Sequence, residues 1–272
     1  MTLANQREEP LRDDVRRLGK LLGEVLHSQS GQAFYEQVEQ VRHWSQRAVQ
    51  GDNDAHILLS QFLQSADPDT LRNVARAFGH FLNLANIAEQ YHPIRLRRQA
   101  LVPSAAEGMR ALLRKALAQG ISRAQILAAV SQLDIELVLT AHPTEVTRRT
   151  LMQKQDEIAD ILASLHESKL TADEQVAEWG RLRRRIVAAW ETDEIRGQRP
   201  TPVDEAKWGF ATVENSIWRA LPACLRELDA CLRDELGQGL ALDATPIRMS
   251  SWMGGDRDGN PFVTHAVTAE VI

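Results

Sequence analysis

The chain has 272 residues, a net charge of −5, and hydrophobic and charged contents of 43% and 25%. These values describe an ordinary folded protein with room for one large or two small cores, and the acidic balance argues against general nucleic-acid binding. No N-terminal apolar segment of the secretory kind is present, and no apolar run approaches the ~18–20 residues needed to span a bilayer, so a cytoplasmic protein without membrane or nucleic-acid partners is expected.

Met1–Pro10 is polar and reads as a frayed end. Leu11–Ser28 places Val15, Leu18, Leu22, Val25 and Leu26 at helical spacing, which predicts one buried stripe. Further helices fit Gln32–Gln50, Asp54–Gln64 and Asp69–Ala100, with Gly51 and Asp67-Pro68 as punctuation and Pro93 predicting a kink or break. His80 and His92 have no carboxylate or cysteine at metal spacing and read as packing or hydrogen-bonded residues. Ala105–Gln119, closed by Gly120, and Arg123–Ser131, capped by Ser122, complete a helical first half in which no chemistry is recognisable.

Leu133–Arg149 (LDIELVLTAHPTEVTRR) changes the pattern. Ile135–Thr140 is a β-branched and apolar run that predicts a short buried strand. Pro143 has no N–H for a ladder and drives His142 out of the helical region, so the strand ends there. Thr144 is then an N-cap for a helix over Glu145–Ser168 that carries Arg148 and Arg149 one turn in. Strand C-terminal ends are where barrels and open α/β folds place their chemistry, and His142 sits at one.

Ala172–Arg196 reads as a helix with Val176, Trp179, Ile186 and Trp190 on one side, and its many arginines as a solvated, salt-bridged surface. The polar linker after Gly197 precedes a long amphipathic helix over Val203–Leu236, in which Pro222 predicts a kink. Cys224 and Cys231 lie two turns apart, about 10 Å, and so cannot bridge. Pro246–Trp252 predicts a second strand, Met253–Asn260 (MGGDRDGN) a tight glycine turn, and Pro261 and Thr264 a last helix. The D-x-D-x-N spacing suggests a calcium loop, but Pro261 occupies the position that needs glycine and Val267 the one that needs glutamate. A structural turn, with Asp256, Asp258 and Asn260 capping local amides, is the plainer alternative. If the two strands are parallel neighbours, His142, Arg257 and the glycine turn face one cleft.

The expected fold is mainly α: a helical scaffold over residues 1–132, then the first two strands of an incomplete α/β barrel over 133–272. Two strands that must bury both faces do not make a finished core, which suggests a piece of something larger.

Val138–Arg149 (VLTAHPTEVTRR), Ser250–Asn260 (SSWMGGDRDGN) and Thr192–Trp208 (TDEIRGQRPTPVDEAKW) resemble the N-terminal motifs of the phosphoenolpyruvate carboxylases, of the bacterial type. The resemblance covers the chain from about Leu133 onward, and it implies an N-terminal portion of a TIM-like barrel enzyme. It implies that the parent joins bicarbonate to phosphoenolpyruvate, giving oxaloacetate and phosphate, with Mg2+ or Mn2+ whose ligands lie outside this chain. By the same resemblance His142 is the base that drives carboxyphosphate breakdown. Trp252 lines the pocket for the substrate's methylene end, and Arg257 holds anionic groups. Arg148, Arg149 and Arg196 match arginines assigned to an allosteric effector site, although ion pairs with Glu145, Asp193 or Glu194 explain them almost as well. The parent is implied to be a homotetramer, and the chain by itself to be inactive. The alternative is a non-catalytic anion-binding or assembly module using those three arginines. Phosphohistidine transfer through His142 lacks the sequence context that such transfer has elsewhere.

Overall fold

The computed structural model describes residues 3–99, 102–140, 149–166, 170–192, 201–258 and 260–272. Among them are eleven α-helices, one π-helical segment and two strands. In chain order these are α1 (Leu3–Ser30), α2 (Gln32–Val49), α3 (Asn53–Ser65), α4 (Pro68–Arg98), α5 (Ala105–Ala118), α6 (Arg123–Ser131) and β1 (Ile135–Leu139). Then follow α7 (Arg149–Leu165), α8 (Ala172–Trp190), α9 (Pro202–Thr212), the π-segment Val213–Ile217, α10 (Trp218–Leu236), β2 (Ile247–Ser251) and α11 (His265–Val271). The fold is mainly α with a partial sheet, as the sequence predicts. The chain divides into two compact units, one of residues 1–101 and 148–194, the other of residues 102–147 and 195–272.

In the first unit α1, α2, α4, α7 and α8 converge on one core. Leu18, Leu22, Val25 and Leu26 from α1 meet Val74, Ala77, Leu84 and Ile87 from α4, with Ile158, Ile161 and Leu162 from α7 and Leu182 and Ile186 from α8. The apolar stripes predicted for these helices are therefore the buried ones, with one exception. Val176 is 73% exposed, because it lies in the first turns of α8, away from the buried Leu182–Trp190 stretch. Asp52 and Asp67 cap α3 and α4 by accepting hydrogen bonds from backbone N–H groups of the first turn. α1 begins eight residues earlier than the sequence predicts and runs through Pro10; the helix-favouring residues around it outweigh the one ladder bond that proline removes. α4 likewise continues through Pro93 without a break.

A buried polar cluster lies within this core. Arg95 on α4 donates through Nη1 to Asp14 on α1 at 2.7 Å, and the two side chains are only 4% and 6% exposed. His166, just past α7, places Nε2 3.0 Å from the other oxygen of Asp14 and stacks on Tyr91. His92 accepts from Arg95 Nη2 at 2.8 Å. Thus His92 is a hydrogen-bonded packing residue.

The second unit has its own core of Leu113 from α5, Ile126 from α6, and Cys231, Leu232 and Leu236 from α10. Ser104 with Glu107, and Ser122 with Gln125, form reciprocal capping boxes that fix where α5 and α6 start. Arg110 and Arg114 of α5 pair with Asp234 and Glu235 of α10. The predicted long helix after the linker is helical throughout, but the irregularity lies one turn before Pro222. There the Trp218 N–H bonds back to the Val213 carbonyl, five residues earlier. Pro222 brings no N–H and crowds the carbonyl four residues before it, that of Trp218, and the widened π-turn ends at that residue. Both cysteines are free.

β1 and β2 pair in parallel, with Ile135 opposite Ile247 and Leu139 opposite Ser251. The expectation that β1 is buried is not met: Ile135, Leu137 and Val138 are 45%, 47% and 40% exposed. A parallel pair presents apolar side chains on both faces, and two strands alone leave those faces open.

Candidate active site

The site is built where the two strands end. The ladder register carries Leu139 alongside Ser251, and one further bond extends it: the Trp252 N–H donates to the Leu139 carbonyl at 2.9 Å. Trp252 thereby stands beside the end of β1, two positions of sequence before Ala141. The parallel arrangement on which the shared-cleft reading depended is present.

After Trp252 the chain reverses sharply. The Trp252 carbonyl accepts from the N–H groups of both Gly255 and Asp256, at 3.0 and 2.9 Å. Asp256 Oδ1 accepts from the Asp258 N–H and Asn260 Oδ1 from the Phe262 N–H, so these two side chains are engaged in shaping the turn. The turn is anchored below by Met253, which is buried and whose thioether end lies close over Gly209 of α9. It is anchored on its other side by Thr268 of α11, whose hydroxyl donates to the Gly254 carbonyl at 2.7 Å.

Gly254 has φ +73°, and a Cβ there would lie 2.7–2.9 Å from the Val271 side chain. Both the left-handed backbone and the close approach require glycine. Gly254→Ala is expected to cost about 2–4 kcal/mol in the second unit, read as a lower urea midpoint. A Gly254→Ala/Val271→Ala pair should recover part of that loss in a double-mutant cycle. A single variant as stable as the parent would show that α11 does not pack on this turn.

With the turn fixed, two side chains are left presented. Trp252 is 56% exposed. Arg257 is exposed, with Nη2 3.5 Å from the Thr268 hydroxyl and no carboxylate partner among the described residues. An exposed indole and a guanidinium without a carboxylate partner among the described residues, both carried by the segment after β2, suit a small anion with an apolar end. Arg248 on β2 makes a two-pronged pair with Asp134 at 2.8 and 2.9 Å, bracing the opposite end of the strands. The sequence reading overlooked that pair, whose only signal is a charge of each sign flanking the two strand runs.

His142, Arg148 and Arg196 lie outside the described residues. Arg149 opens α7, which belongs to the first unit. No group of three or more His, Cys, Asp or Glu side chains among the described residues could hold a metal ion. The donor chemistry at the turn does not fit a resident divalent cation either, since Asp256 is used by its own backbone. No helix of the described residues is long and apolar enough to cross a membrane.

The family model for phosphoenolpyruvate carboxylase matches residues 11–272. Curated relatives of that name include proteins of Acinetobacter baumannii, 48% identical over 99% of this chain, and Alcanivorax borkumensis, 51% identical over 97%. A Stutzerimonas stutzeri relative is 50% identical over 96% of the chain. In each case the chain spans 30% of the relative's length. The two strand-end motifs fall inside this matched region, which includes the helical first half as well as the part from Leu133 onward, and the chain belongs to the phosphoenolpyruvate carboxylase family as an N-terminal portion of it.

Proposed function

We propose that this chain supplies the first two strands of a TIM-like catalytic barrel, with residues 133–272 as its start and 1–132 as the helical scaffold. The parent enzyme carboxylates phosphoenolpyruvate with bicarbonate to oxaloacetate and phosphate, in the cytoplasm and as a homotetramer. The observation that carries this reading is the Trp252 N–H bond to the Leu139 carbonyl. It holds the Trp252 backbone, from which the glycine turn starts, beside the end of the strand that precedes His142 in sequence.

In this reaction a bicarbonate oxygen attacks phosphorus and the enolate of pyruvate leaves, forming carboxyphosphate. His142 takes the proton of the carboxyphosphate carboxyl group, and carbon dioxide and phosphate separate. The enolate methylene carbon then attacks carbon dioxide. Trp252 walls the methylene end and keeps water from protonating the enolate, while Arg257 holds an anionic group. Magnesium or manganese would assist the charge transfer, held by residues other than those described here. Arg148, Arg149 and Arg196 are proposed to bind an anionic allosteric effector through guanidinium forks.

The test compares two proteins in a bicarbonate-dependent oxaloacetate assay with added magnesium. The full-length protein that includes this chain should be active, and the purified 272-residue chain should not exceed the blank. An inactive full-length protein would sink the reading; an active short chain would show that the catalytic set is complete within it.

A further inference from the structure

The first unit contains a cavity of about 530 Å3 that the carboxylation chemistry does not use. Gln29 and Ser30 at the end of α1, Asn73 and Arg76 on α4, and Trp190 and Glu191 at the end of α8 line it. The volume is in the range of metabolite sites. Arg76 is held rigidly. Its guanidinium carbon lies 4.6 Å from the centre of the Trp190 ring, and Nη2 donates to the carbonyls of Trp190 and Thr192 at 2.7 and 3.3 Å. Arg76 thus caps the C-terminal end of α8, but these carbonyls carry only partial charge. No carboxylate pairs with Arg76 among the described residues, and Nη1 has no acceptor there. The Asn73 amide and the Glu191 carboxylate are also without hydrogen-bond partners among the described residues. The Trp190 indole is fixed by donation to the Ser30 hydroxyl at 3.1 Å and by Phe34, 6.0 Å away.

We propose that this cavity is a ligand site for the oxyanion, phosphate or carboxylate, of a small polar metabolite. Arg76 Nη1 and the Asn73 amide donate to the oxyanion, and Glu191 accepts from a hydroxyl or amine of the same molecule. A preorganised guanidinium with an N–H that has no acceptor among the described residues suits such recognition, and stacking on Trp190 lowers the entropy lost on binding. The neighbouring His80 feels the Arg76 charge. Burial first, and the Arg76 charge second, push its imidazole down to about 4.

The experiment follows indole N–H signals in 15N-correlation spectra of the 272-residue chain during titration with inorganic phosphate, with acetate, and with sodium chloride at matched ionic strength. The Trp190 signal is expected to move saturably with phosphate or with acetate, and which one moves it identifies the oxyanion. The Trp252 signal reports the strand-end cleft separately, so failure of one site is distinguishable from failure of the other. Arg76→Gln should weaken the Trp190 response on the order of tenfold or more while leaving the Trp252 signal unchanged. If Arg76→Gln melts early because α8 loses its cap, Asn73→Ala touches no backbone carbonyl and should still weaken binding about threefold or more. A Trp190 signal that stays still through roughly 50 mM of both anions, or that follows chloride equally, overturns the proposal.

Discussion

Asp14→Ala is expected to destabilise the first unit by about 3–5 kcal/mol, the largest loss of any single truncation in the helical core. The carboxylate does not simply contribute one ion pair. Its removal leaves the Arg95 guanidinium, 4% exposed, without a countercharge in a site that water does not reach. His92 and His166 still face that guanidinium, but an imidazole ring cannot replace a carboxylate as its countercharge. Urea unfolding followed by far-ultraviolet circular dichroism measures the loss. Asp14→Leu with Arg95→Met, which replaces the pair by apolar groups of similar size, should restore most of the stability. Arg12→Ala serves as the control: its pair with Glu8 is exposed on both sides, and the change should be within about 0.5 kcal/mol. An Asp14→Ala loss below about 1 kcal/mol would show that the cluster relaxes or hydrates freely.

His142→Asn, placed in the full-length protein, is expected to lower the turnover of carboxylation by about 10²–10⁴-fold. Asparagine keeps the size and a hydrogen bond of the side chain but cannot accept a proton near neutral pH. The KM for phosphoenolpyruvate should change little, because binding in this reading rests on Trp252 and Arg257. Response to anionic effectors should survive, since Arg148, Arg149 and Arg196 are untouched. Unchanged turnover would favour the rival reading, a module that binds anions and performs no chemistry.

Much of the fold is legible because it is locally encoded. Ser104 with Glu107 and Ser122 with Gln125 announce α5 and α6 within four residues, and the α1 stripe from Leu18 to Leu26 is buried as its spacing requires. Strand positions are equally local, and both appear where β-branched and apolar runs place them. Burial of β1 was not legible, because exposure depends on what covers a sheet rather than on the strand's own residues. The π-turn before Pro222 was missed for a different reason: proline shows where a ladder bond is lost, but not which neighbouring turn widens to accommodate it. At the strand ends, Trp252 and Arg257 are candidates through their motif alone, and the structure adds the ladder bond that holds the Trp252 backbone beside Leu139. The cavity around Arg76 left no trace, since it joins residues from α1, α4 and α8 whose polar side chains each read as ordinary surface.

The sheet pairing has a consequence for how the molecule is assembled in time. Asp134 and Arg248 are 114 positions apart, and between them the chain leaves the second unit, contributes α7 and α8 to the first, and returns. The entropy of closing so long a loop must be met before the ten strand residues make any contact. The helices, whose contacts are mostly near neighbours, can form on a far faster clock. In a protein synthesised from its N-terminus, β1 must therefore wait, apolar and unpaired, until more than a hundred further residues have emerged. During that interval its open edge is the part of the molecule most exposed to mispairing with another nascent copy.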